Sequence, residues 1–362
     1  MNYFCLVASF AFCLSASAQS FTRTDISTPV KPYNLDVGDF DADGDLDMAT
    51  VNDGAHSVTI LLNDGTGTFS VATTLSGFNR PQAITAGDFD ANGSIDLGVV
   101  NAGANSAFIL TNNGSASFSI TDSIAVGNNP HAITSADLDG DSDLDWVVSD
   151  FSAGTVSLLT NDGTGSFSLT STLQASNGTE RAITQDIDGD GDIDLAVPSF
   201  FAATLHVFKN DGSGTFTSDA SITLGKNHHI PAAGDFDSDL DVDILITSSG
   251  SGEVFLLAND SNGTFSDQGI VVIPSQPWAG ASGDYDQDGD LDVAIAAYSG
   301  HTITILINDG TASFSKSEPI AVGNQPHQVI SADFDGDGDL DLATANDAEN
   351  SVTLLMNTLV NP

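Results

Sequence analysis

The chain of 362 residues carries 50 acidic against 7 basic side chains, and the resulting formal charge of −43 excludes nucleic acid and anionic membrane surfaces as partners. Its two cysteines, Cys5 and Cys13, both fall within the first 18 residues, so disulfides cannot hold the remainder together. Some other fastener is required.

Residues 1–18 read as a secretory signal peptide: the apolar stretch Phe4 to Leu14 is followed by Ala16-Ser17-Ala18, an A-x-A cleavage pattern. Phe10-Ala11-Phe12 ahead of Cys13 is not a lipoprotein context, so cleavage and release to a secreted, periplasmic or cell-surface location is expected. No later apolar run is long enough to span a bilayer. Residues 19–362 are expected to form a single domain, a monomer, because Ser20 to Pro362 is 343 residues, seven units of 49, and neighbouring repeats share one core.

Every unit contains Asp-x-Asp-x-Asp-Gly-x-x-Asp or a near copy of it. The acidic positions are Asp39, Asp41, Asp43, Asp45 and Asp47 in the first copy, and Asp88, Asp90, Asn92, Ser94 and Asp96 occupy them in the second. The third has Asp137, Asp139, Asp141, Asp143 and Asp145, the fourth Asp186, Asp188, Asp190, Asp192 and Asp194, and the fifth Asp235, Asp237, Asp239, Asp241 and Asp243. Asp284, Asp286, Asp288, Asp290 and Asp292 form the sixth, and Asp333, Asp335, Asp337, Asp339 and Asp341 the seventh. Carboxylates this dense repel one another unless a hard divalent cation sits among them, and six to eight oxygens from one short loop suit Ca²⁺ better than Mg²⁺. Up to seven structural calcium ions are therefore expected, held by the Asp at positions 1, 3, 5 and 9 and the main-chain carbonyl at 7, with the position 7 side chain facing solvent. Gly at position 6 permits the turn; Ser142 and Leu240 replace it, and the Leu240 site is expected to be weak or altered. Seven divalent ions would leave −43 + 14 = −29.

Between these loops the pattern is all β. In the third copy His131 to Ala136, Leu144 to Ser149, Thr155 to Thr160 and Phe167 to Leu173 read as four short strands, with Asn161-Asp162-Gly163-Thr164-Gly165 as a turn. Four strands per repeat describe a propeller blade, so the expected fold is a seven-bladed β-propeller of four-stranded blades. Phe69, Phe118, Phe167, Phe216, Phe265 and Phe314 begin successive fourth strands, and the seventh would fall at position 363, past the end. Ser20 to Ile26 has the same character and should complete the last blade, closing the ring without a free edge.

The phrases Gly38 to Ala49 and Ala332 to Ala343, with Asn63 to Phe69 after the first, resemble FG-GAP/VCBS repeats. That resemblance implies a calcium-binding propeller like the integrin alpha-subunit head, and a family whose roles range over adhesion, lectin activity and polysaccharide lysis.

Function should lie where the copies differ. The linker into each inner strand gives Tyr33, Gln82, His131, Glu180, His229, Trp278 and His327 at one register, on the face opposite the Asp loops. Neighbouring slots add Arg181 and His228, and the other loop on that face contributes His56, Phe151, Phe200, Phe201, Tyr298 and His301. One reading is a non-catalytic recognition or adhesion module for an extracellular glycan or protein, in which Trp278 and Tyr298 stack on sugars while Gln82, Glu180 and histidines bond hydroxyls. The alternative is a polysaccharide lyase at the axial mouth, with Arg181 neutralising a uronate and Tyr33 or one of His131, His229 and His327 moving the proton. No hydrolase, kinase or zincin motif is present.

Overall fold

The computed structural model describes residues 20–225, 227–273 and 275–358, so the expected signal peptide lies outside the described residues. These residues form seven antiparallel sheets and no helix, hence no helix long and apolar enough to cross a membrane. Blade 1 comprises Pro32–Gly38, Asp47–Asn52, Ser57–Asn63 and Phe69–Ser76, and five further blades repeat this order along the chain. Blade 7 takes its first three strands from Pro326–Ala332, Asp341–Asn346 and Ser351–Asn357. Its outer strand is Phe21–Ser27, paired in register from Phe21 opposite Asn357 to Ser27 opposite Ser351. The ring closes as expected, and neither terminus leaves an unpaired edge within that sheet.

Burial follows strand position. Second strands such as Asp47–Asn52 and Asp145–Asp150 are buried at every residue, because each is flanked by sheet neighbours and covered by blades on both sides. Outer strands such as Phe69–Ser76 are largely exposed. The core therefore sits between blades. One cluster joins Val51 and Ile60 of blade 1 to Ile84, Leu97 and Leu110 of blade 2, and another joins Leu35, Met48 and Leu61 to Phe334 and Leu354 across the closure.

The inner strands carry the feature that positions the linker face. In five blades the pairing register slips by one residue after the leading proline, and the bulged residues are Tyr33, Gln82, His131, Trp278 and His327. A bulged residue leaves the ladder and is re-aimed. Here that turns one side chain per blade toward the axis. The residues ahead of those prolines, Lys31, Arg80, Asn129, Gln276 and Gln325, adopt φ of 54–65°, a left-handed turn that delivers the linker to the inner strand. In blades 4 and 5 Thr179 and His228 stand in the proline slot, and the inner strands shrink to Ile183–Gln185 and Ala232–Gly234.

Candidate functional site

The Asp loops are built around position 9. Asp47 is fully buried, its Oδ2 accepting the Phe40 amide and its Oδ1 the Asn63 amide, both at 2.9 Å. The same pair of bonds recurs for Asp96, Asp145, Asp194, Asp243, Asp292 and Asp341. Position 1 folds the loop back: Asp39 accepts the amides of Asp43 and Gly44, each at 3.1 Å. Asn92 in the second copy accepts the Ser94 amide at 2.7 Å, so the amide side chain does the loop-closing work of the carboxylate it replaces.

These loops fit a cation. Carboxylate oxygens of Asp39, Asp41 and Asp43 lie within 4.8 Å of one another, as do those of Asp137, Asp139 and Asp145. The Oδ1 atoms of Asp41, Asp139, Asp188, Asp237, Asp286 and Asp335, all at position 3, are buried without a hydrogen-bond partner among the described residues. An orphaned buried carboxylate oxygen costs free energy that a Ca²⁺ ligand bond would recover. Burial also pushes the position 9 acids up, Asp47 to about 6 and Asp292 to about 7, and a bound cation would hold them ionised.

Two details differ from the sequence reading. The position 7 side chain does not simply face solvent, since a Cβ on Gly65 would sit 2.5 Å from the Asp45 carboxylate, which packs on the Asn-Asp-Gly turn of its own blade. Leu240 does take the strained conformation, φ 75°, with its side chain 90% exposed. Its loop is nevertheless not distorted: the Leu240 amide donates to Asp235 at 3.0 Å and Asp235, Asp237 and Asp239 remain clustered. The strain is absorbed locally because the side chain swings free of the ligand set.

Sequence reasoning missed the second task of the Asn-Asp-Gly turn. The Asn side chain donates to the position 2 carbonyl of the preceding blade's loop, as in Asn112 to Phe40 at 2.8 Å, and Asn63 to Phe334 at 2.8 Å spans the closure. The spacing of 72 residues between donor and acceptor, from Asn112 to Asn357, was visible only once blade adjacency was known.

At the opposite end the ring residues converge, but upon one another. Tyr33 Oη lies 3.0 Å from His131 Nε2, and His131 Nδ1 lies 3.0 Å from Glu180 Oε2. A carboxylate only accepts, so His131 Nδ1 carries a proton and donates it to Glu180. Burial and the Glu180 charge raise the Tyr33 phenol, which keeps it a donor. Burial opposes the Glu180 charge, yet His131 and His229 hold its carboxyl down to about 2. His229 bonds Ser249 at 2.8 Å and stacks on Trp278 at 3.6 Å between centroids, and Trp278 in turn stacks on Tyr298 at 4.6 Å. His327 packs on Tyr33 at 3.6 Å, and Gln82 donates to Asp53 at 2.8 Å.

Glu180, His229 and His327 are 5%, 1% and 5% exposed, and the space at this level is about 10 Å³. That volume holds at most one water. The ring is a plug, so Gln82, Glu180, His229 and His327 are not available to an external ligand, and the faces of Trp278 are spent on His229 and Tyr298. His301 and His56 are loop caps, accepting the Gln325 and Arg80 amides at 3.0 Å as Asn350 does for Lys31. Arg181 lines both this narrow space and the wider cavity along the axis beyond it.

Behind the plug stands a second ring one loop further on, comprising Asp53, Ala102, Phe151, Phe200, Ser249, Tyr298 and Asp347. Asp53 receives Lys31 at 2.9 Å and Gln82, and lies 3.6 Å from Arg80, making one sector charged. The other sector is aromatic. Phe151 and Phe200 back His131 and His229 at 4.8 and 5.0 Å, and both meet Phe201 edge-on at 5.4 and 5.0 Å. Phe201 is 63% exposed in a slot that holds Gly54, Gly103, Ser152, Gly250, Ser299 and Ala348 elsewhere. The charged pairs of the first sector, unlike the aromatics of the other, were not foreseen; the 49-residue register would have found them.

Seven four-stranded blades around an axis, with an acidic loop joining the first two strands of each, define an acidic-loop type of β-propeller repeat protein. Residues 39–99, 88–148, 137–197, 186–246, 235–295 and 284–344 match the FG-GAP-like repeat, and the chain belongs to that family. No curated protein matches it in sequence. Among solved structures it is similar to virginiamycin B lyase from Staphylococcus aureus, at 12% identity and TM-score 0.65 over 93% of this chain and 99% of that one. It is also similar to BBS1N in complex with ARL6DN, at 11% identity and TM-score 0.69 over 93% and 98%. A third is an Agrocybe aegerita lectin that recognises non-reducing terminal N-acetylglucosamine, at 16% identity and TM-score 0.55 over 91% and 86%. At these identities the likeness is one of fold.

Proposed function

We propose that the chain is a secreted, monomeric, non-catalytic recognition module in which up to seven structural Ca²⁺ ions fasten the blades and the linker face reads extracellular glycans. The observation that carries this reading is Phe201, exposed and held edge-on by Phe151 and Phe200 where six other copies have a small residue. A rigid, exposed aromatic cluster is a contact surface, and its apolar faces suit the C–H faces of a sugar ring. Tyr298, half-buried at the outer end of the Trp278 stack, is a second such platform. That a lectin shares the architecture is consistent with this use, and the complex of BBS1N with ARL6DN makes a protein surface the competing outcome.

A lyase at the axial mouth has less support. The relay from Tyr33 through His131 to Glu180 could move a proton, but with about 10 Å³ beside it no sugar unit reaches it. The test is a glycan array probed with the calcium-loaded protein and with Phe201→Ala and Phe151→Ala variants. Signal on a subset of glycans that drops at least tenfold in both variants supports the reading. An array without signal, or signal indifferent to both substitutions, refutes it.

A further inference from the structure

On the Asp-loop side of the plug the axis is hollow. The cavity measures about 390 Å³, and its walls include the inner-strand residues Asp36, Thr85, Thr134, Ser135 and Ser282, with Arg181 just ahead of the inner strand of blade 4. The three-residue inner strands of blades 4 and 5 form part of its wall. Arg181 is the one basic side chain on it.

Three observations single Arg181 out. At its register the other copies hold Asn34, Ala83, Ala132, Ile230, Ala279 and Gln328, none of them charged. Asn34 and Gln328 are spent on backbone, accepting the amides of Ile84 at 3.2 Å and Leu35 at 2.8 Å. Arg181, by contrast, makes no hydrogen bond or ion pair among the described residues. The opposing charge is Asp36, whose two oxygens already accept the Val37 and Ala86 amides at 2.9 Å. The guanidinium thus presents its planar fork of donors to the cavity unfilled. Nearby, Thr134 is 8% exposed and its Oγ1 has no hydrogen-bond partner among the described residues.

An unfilled guanidinium in a confined polar space is matched by a carboxylate, which takes two parallel hydrogen bonds that neither a neutral amide nor a hydroxyl reproduces. We propose that the axial cavity binds a small carboxylate-bearing ligand the size of one sugar acid, with Arg181 gripping the carboxylate and Thr134 meeting a hydroxyl. With a net charge of −43 the protein does not draw anions in from a distance, so recognition here depends on the local fork and not on the field. The site is separate from the Phe201 face and stands whether or not that face reads glycans.

Calorimetric titration of the calcium-saturated protein with glucuronate, and with glucose as its neutral counterpart of the same size, tests this. Glucuronate should bind 1:1 and glucose at the same concentrations should give no saturable heat. Arg181→Gln should weaken glucuronate at least tenfold, and Arg181→Lys, which keeps the charge without the fork, should weaken it severalfold. The double variant Arg181→Gln, Asp36→Asn removes both charges, so the net charge of the chain is unchanged, and it should still fail to bind. Phe201→Ala should leave glucuronate binding unchanged. No binding to the native protein, equal response to glucose, or undiminished affinity in the folded double variant overturns the proposal.

Discussion

At the Asp-loop end the seven position 9 residues are all Asp, all fully buried, and all hold the same two amides. At the linker end the corresponding ring contains five residue types, and its members contact one another across the axis in pairs that no other copy repeats. Both ends are buried, so burial does not separate them. The difference is one of what each position has to satisfy. A loop that closes onto one buried carboxylate and onto the preceding blade has a fixed geometric task in every blade, and seven identical solutions follow. A ring around an axis must fill one space with seven side chains, and identical residues would leave it hollow or overfilled.

The comparison can be broken most directly at the metal sites. Chelation should lower the melting temperature by upwards of about 10 °C, since each site saturated at 100 times its Kd contributes roughly 2.7 kcal/mol. Scanning calorimetry in excess EDTA checks this, and an unchanged transition would leave the Asp loops without their assigned task. The plug is next. Burial lowers the ring of His228 to about 4, and lowers His229 and His327 in the same direction. Their unfolded forms titrate near 6.5, so between about 6.5 and 4 the unfolded chain binds more protons and stability falls as pH falls. With calcium saturating, His228 alone should account for about 3 kcal/mol of loss by pH 4, and urea unfolding of His228→Leu should show a flatter pH profile.

The inter-blade latch offers a smaller lever. Asn112→Ala removes two hydrogen bonds, one to the Phe40 carbonyl, which keeps the Ala116 amide, and one to the Ile95 carbonyl, and should cost about 2 kcal/mol in urea unfolding. Smallest is Leu240→Gly, which removes a left-handed leucine that is 90% exposed and should stabilise by about 1 kcal/mol. A destabilised Leu240→Gly would mean that the side chain has a partner beyond this chain.

Blade number, strand order and ring closure were legible in the sequence because the Asp phrase fixes a 49-residue register and Phe21–Ser27 supplies the strand missing after Asn357. The linker register was legible as well, and it does ring the axis. What the spacing could not show was direction. Trp278 and His229 were read as ligand contacts, yet they stack on each other, because the bulge after Pro277 turns Trp278 inward against His229 of the neighbouring blade. Arg181 follows Glu180 in the chain yet reaches the wider axial cavity beyond the plug, a separation that a list of variable positions hides. Left-handed Ala42 and Gln287 at position 4 of their loops were likewise invisible, since only glycine announces that conformation.

The division of labour between the two ends is tested most directly by measuring melting temperature and glycan binding side by side on Asp47→Asn and Phe201→Ala. The account predicts that Asp47→Asn lowers the melting temperature and abolishes its response to calcium at that site while the protein that remains folded binds normally. Phe201→Ala should lose binding with its melting temperature unchanged. The reverse pattern, or both properties lost together in Phe201→Ala, would contradict it.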